Sequence, residues 1–96
     1  MRLSQNEINI IKFNILKYIH DAKIILFGSR VYDDKKGGDI DILVETKQEV
    51  SLKQQIQILA NLEINGIGRK VDMILKTPTT KEQTIFKTIH QEGIVL

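Results

Sequence analysis

The 96-residue sequence contains no cysteine and a single proline. Without thiols there is no disulfide, no thiolate nucleophile, no zinc–thiolate site and no iron–sulfur cluster. The missing disulfide accords with a reducing compartment. A positive charge excess is also missing. Fourteen Lys and Arg stand against twelve Asp and Glu, a net charge of +2. Proteins that grip a nucleic-acid backbone carry a clear basic surplus, so no direct nucleic-acid substrate is expected. No apolar run approaches the roughly 18 residues of a membrane span, and Met1-Arg2-Leu3-Ser4-Gln5-Asn6-Glu7 turns polar too soon for a secretory signal. A cytoplasmic protein with no membrane contact is expected.

What remains is globular composition, 42% apolar and 27% charged. Residues 1–96 are expected to form one domain, burying roughly two-thirds of the unfolded surface. Ser4 and Glu7 have the spacing of a capping box, which starts a helix lined by Ile8, Ile11, Ile15 and Ile19, with Phe13 and Leu16 beside them. Ile24–Phe27 is a strand buried on both faces. After the turn-like Asp33–Gly38, Asp39–Glu45 alternates with period two. Ile40, Ile42 and Val44 point to one face, and Asp39, Asp41 and Leu43 to the other. Ser51 and Gln54 cap a second helix with Leu52, Ile56, Leu59 and Leu62, broken at Asn65-Gly66. Val71–Leu75 is a third strand. Thr79 with Glu82, or Thr80 with Gln83, starts a last helix carrying Ile85, Phe86 and Ile89, which Gly93 ends. The apolar tail Ile94-Val95-Leu96 follows. The expected fold is α+β in two layers, helices on a small mixed sheet, in the order α-β-β-α-β-α.

Three features point to chemistry. Gly28-Ser29 closes the first strand, where glycine admits a ligand close to the backbone and the serine hydroxyl sits beside N–H groups suited to phosphate. Asp39 and Asp41 are two residues apart on a strand, with Cα atoms roughly 6.5 Å apart, so their carboxylates share a face. Like charges so placed call for a cation. Asp72 lies inside the apolar run Val71–Leu75 and needs either a metal or a partner such as Arg69 or Lys70. Hard oxygen donors of this kind suit Mg²⁺ or Mn²⁺.

Gly28-Ser29, a nine-residue spacer, Asp39-Ile40-Asp41-Ile42 and then Val71-Asp72-Met73 together resemble the DNA polymerase β nucleotidyltransferase superfamily. The runs Leu26–Arg30 and Gly37–Glu45 are similar to its minimal nucleotidyltransferase, or MNT, domains. The resemblance covers the whole chain and implies a polymerase-β-like palm core. It implies that Gly28 and Ser29 hold the nucleotide phosphates, with Arg30 beside them. It also implies that Asp39, Asp41 and Asp72 are the catalytic acids and ligands of two Mg²⁺ ions. In such chemistry one ion activates the nucleophile and the other offsets charge on the leaving pyrophosphate. Val31-Tyr32-Asp33 departs from the small residue, Arg and Gly that many relatives carry after the Gly-Ser-Arg triplet.

MNT proteins are typically partnered with a HEPN-domain toxin. The resemblance therefore implies an antitoxin that transfers AMP from ATP to a hydroxyl, commonly tyrosine, of that ribonuclease, in a heteromeric complex. Two other readings are a non-catalytic antitoxin acting by contact and an aminoglycoside-type nucleotidyltransferase. Lys35 and Lys36 are read as a solvated loop, Arg69 and Lys70 as further phosphate contacts, and His20 and His90 as surface residues without partners.

Overall fold

Two capping boxes start the first two helices. The Ser4 hydroxyl accepts the Glu7 N–H at 3.0 Å while the Glu7 carboxylate accepts the Ser4 N–H at 3.0 Å, opening α1 (Gln5–Tyr18). Ser51 and Gln54 repeat the exchange at 3.1 Å each way, opening α2 (Leu52–Ile64). Each box satisfies two N–H groups that the first helical turn leaves without an internal acceptor. The computed structural model describes residues 3–28 and 38–96. Its other elements are β1 (Lys23–Phe27), β2 (Ile40–Glu45), β3 (Val71–Lys76), α3 (Thr84–Glu92) and β4 (Ile94–Val95).

The four strands form one mixed sheet in the order β3-β2-β1-β4. β1 pairs antiparallel with β2 and with β4, and α2 returns the chain so that β3 runs parallel to β2. Strand alternation sorts the core. Ile24 and Leu26 of β1 and Ile40, Ile42 and Val44 of β2 pack with Ile11, Ile15, Ile58 and Leu62 under α1 and α2. Ile25 and Leu43 face the other way and meet Phe86 and Ile89 of α3. Helices thus cover both faces of the α+β sheet, and β1 is buried on both sides as its unbroken apolar run requires.

The seventh element, β4, is absent from the expected order α-β-β-α-β-α. Two residues of a tail carry no periodicity, and only their pairing with Ile25 and Leu26 makes them a strand. Gly93 permits the turn into it. A β-carbon there would stand 2.4 Å from Ile25 Cγ2 and 2.5 Å from the Ile89 carbonyl oxygen. The start of α3 also differs from expectation. The Thr80 hydroxyl accepts the Thr77 N–H at 2.9 Å and the Thr79 hydroxyl donates to Glu49 at 2.9 Å, so both are engaged in the preceding turn. The helix opens at Gln83 with no side-chain cap. On α2 the buried residues are Ile58 and Leu62, whereas Leu52 (70% exposed) and Ile56 (59%) lie outside the core. Its apolar arc is wider than the strip that the sheet covers. Phe13, 71% exposed, stands outside the α1 core in the same way.

Candidate active site

The candidate acids gather at one end of the sheet, on the α3 side. Asp41 is the second residue of β2 and Asp72 the second of β3, and the parallel register sets them directly opposite each other. Both share a face with the apolar pair Leu43 and Ile74, two residues further along, so both carboxylates project from that face. Phe27 of β1 stands opposite Asp41 on its other side. The Asp72 side chain is 44% exposed and lies 3.6 Å from the Lys70 ammonium. This is the surface pairing that the sequence left open beside a metal role. Asp39 precedes β2 by one residue and is exposed. The hydrogen bond from the Ile40 N–H to the Lys70 carbonyl, 2.9 Å, ties that start of β2 to the approach of β3.

Gly28 completes the described part of the site. Its φ is +74°, in the region that L side chains rarely adopt, and a β-carbon there would stand 2.5 Å from Asp41 Oδ2. The Asp41 carboxylate takes up the space that a side chain at residue 28 would need. Ser29, Arg30, Lys35 and Lys36, proposed from the sequence for the phosphates or the adjoining loop, lie outside the described residues.

The carboxylates are hard donors, and Asp41 and Asp72 are placed as a pair, so the donor chemistry fits a divalent cation such as Mg²⁺. Among the described residues no three of His, Cys, Asp and Glu form a metal-holding group. Asp39 stands outside the ladder that fixes Asp41 and Asp72.

Of the two basic residues before β3, Arg69 turns to α1 and Lys70 takes up the Asp72 pairing that the sequence allowed. Arg69 Nε lies 3.4 Å from Glu7 Oε2, linking the approach to β3 with the first turn of α1. Lys70 faces Asp72. His90, expected to lack a partner, has its Nε2 2.8 Å from Glu45 Oε2 and so joins α3 to the far end of β2. Forty-five residues separate that pair, and no local sequence pattern announces it. Lys76 adjoins it, 3.8 Å from Glu45 and 3.1 Å from Glu82. His20 is exposed, and its backbone N–H donates to the Gln48 side chain at 3.1 Å.

The comparisons with known proteins agree with this geometry. The family described as polymerase beta, nucleotidyltransferase, matches residues 5–96. No curated protein sequence matches. Among solved structures, the chain is similar to one from a complex of the tri-AMPylated Shewanella oneidensis HEPN toxin with MNT antitoxin. The TM-score is 0.66 at 22% identity, over 94% of this chain and 67% of that one. It is also similar to one from a mutant toxin–antitoxin complex MntA-HpeT, with a TM-score of 0.64 at 22% identity, over 98% of this chain and 71% of that one. At such identity these two likenesses establish the fold. With the family match across nearly the full sequence and the acid pair in register beside Gly28, the chain belongs to the polymerase β nucleotidyltransferase family.

Proposed function

We propose that this chain transfers AMP from ATP to a hydroxyl group, a tyrosine, of a partner HEPN ribonuclease toxin and so acts as its antitoxin. The observation that carries the catalytic part is the Asp41–Asp72 pair with the Gly28 backbone pressed against it. The antitoxin part is supported by likeness to a chain from a complex described as tri-AMPylated HEPN toxin with MNT antitoxin.

In the reaction, the acceptor oxygen forms a bond to the α-phosphorus as the bond to the β-phosphate breaks and pyrophosphate leaves. Asp72 takes the hydroxyl proton, a role its partial exposure allows. Asp41, with Asp39 just before β2, would hold Mg²⁺. The bound cation supplies charge neutralisation at the phosphates and a lowered pKa for the nucleophile. Gly28, Ser29 and Arg30 are assigned to the nucleotide phosphates by resemblance.

Intact-mass spectrometry of a candidate HEPN partner, incubated with this chain, Mg²⁺ and each NTP in turn, tests the reading. Additions of whole AMP units that disappear with Asp39→Ala and Asp41→Ala support it. A stable complex with no added mass overturns the catalytic part and leaves neutralisation by contact.

A further inference from the structure

β3 is the outermost strand of the sheet on its side, and no described strand pairs with its outer edge. The Lys76 carbonyl accepts the Thr46 N–H at 3.0 Å and the Lys70 carbonyl the Ile40 N–H at 2.9 Å, so the even-numbered residues bond inward to β2. Alternation along the strand then turns the N–H and C=O groups of Met73 and Leu75 outward. Such an edge is a template for another strand.

The flank of α2 above this edge is apolar and exposed. Asn61 donates to the Tyr18 hydroxyl at 2.8 Å, which marks the side of α2 that meets α1. Leu52 stands nine residues earlier, about two and a half turns at roughly 3.6 residues per turn, and so on the opposite flank; Ile56 follows it one turn on. Leu59 continues that flank into a cavity of about 650 Å³ shared with Glu63 and with Val71 at the start of β3. A helix flank with Leu52 70% and Ile56 59% exposed thus overhangs a strand edge with bonds to give.

We propose that this edge docks a second copy of the same chain, β3 against β3 antiparallel about a two-fold axis at Ile74. The sequence Val71-Asp72-Met73-Ile74-Leu75-Lys76 selects that register. Centred on Ile74, Met73 faces the partner's Leu75 as a hydrogen-bonded pair, using the outward groups of both. Asp72 faces the partner's Lys76, twice over by symmetry. Centring on Asp72 would oppose two carboxylates, and centring on Met73 would oppose Lys70 to Lys76. Opposite charges across a strand pair stabilise and like charges destabilise. Leu52 and Ile56 of the two α2 helices approach each other on the same side of the joined sheet. Each active site gains a cation, the partner's Lys76 beside Asp72. The proposal goes beyond nucleotide transfer and stands independently of it.

The absence of native cysteine makes the test direct. In this register residue 74 faces itself as a non-hydrogen-bonded pair, with Cα atoms about 4.5 Å apart, within disulfide range. Ile74→Cys should therefore give a disulfide-linked dimer on mild oxidation of the full chain, while Met73→Cys alone should stay unlinked. A mixture of Met73→Cys and Leu75→Cys chains should link only as the heterodimer, which tests the register without altering Ile74. Lys76→Glu should weaken the dimer at least tenfold by sedimentation, with Asp72→Lys restoring it in the double variant. A wild-type chain monomeric at 100 μM, or equal cross-linking of Met73→Cys and Ile74→Cys, would overturn the proposal.

Discussion

Gly28 and Asp41 meet so closely that a single methyl group on residue 28 would stand 2.5 Å from the Asp41 carboxylate oxygen. The glycine also holds φ at +74°. Gly28→Ala therefore acts twice. The left-handed backbone costs about 1–2 kcal/mol of stability, and the methyl displaces the carboxylate on which the proposed metal site depends. Thermal melting should show a modest loss, and nucleotide transfer should fall at least tenfold. Full activity with an unchanged melting temperature would mean that Asp41 is not held against residue 28.

Asp41→Asn and Asp72→Asn should separate activity from stability. The two acids lie opposite each other on adjacent strands, so neutralising one relieves a like-charge contact worth roughly 0.2–1 kcal/mol. Asp72→Asn in turn gives up the exposed Lys70 pairing, worth at most about 1 kcal/mol, so it should melt close to wild type. Transfer should drop by about 100-fold or more, the scale of losing a positioned acid–base group. A clear fall in melting temperature would instead make the pair structural.

The sequence makes much of this visible and hides the rest for definable reasons. Capping boxes at Ser4 and Ser51 act over three residues, so they are legible locally. The alternation of Asp39–Glu45 fixes which face carries the acids before any partner strand is known. The meeting of Asp41 with Asp72 depends on strand register, which the motif order suggests and only the ladder establishes. β4, the His90–Glu45 pair and the use of Thr79 and Thr80 in a turn are long-range or competing contacts without local periodicity. The exposure of Leu52 and Ile56 is hidden likewise, because a wide apolar arc does not say which part of it the sheet covers.

Phe86 carries the α3 side of the core. It is 2% exposed, clusters with Ile25, Leu43 and Ile89, and has the Lys76 ammonium 5.1 Å from its ring centroid. Phe86→Ala should cost about 3–5 kcal/mol, a large share of the roughly 5–15 kcal/mol that holds a small domain. Urea denaturation should show a loss of unfolding free energy of that size. A loss below about 1 kcal/mol would mean that α3 does not depend on this ring.

Asp21 gives the fold an acid-sensitive joint. The Thr46 hydroxyl and then the Lys47 N–H donate to its carboxylate and hold its pKa below the usual range. A depressed folded pKa adds stability above the unfolded value, about 3.9 for Asp, and that stability is lost as pH falls through the folded value. Asp21→Asn should be less stable than wild type at pH 7, with the gap closing below about pH 4. A gap that is constant from pH 7 to pH 2 would rule out this carboxylate as the source.

Nucleotide binding at the Asp41–Asp72 pair is the claim on which the functional reading rests. It is tested most directly by calorimetric titration of Mg²⁺ with a non-hydrolysable ATP analogue, comparing wild type with Asp41→Asn/Asp72→Asn. The structure predicts saturable, Mg²⁺-dependent binding that is lost in the double variant while circular dichroism shows the fold retained. Equal binding by both proteins would contradict the assignment and place the nucleotide elsewhere.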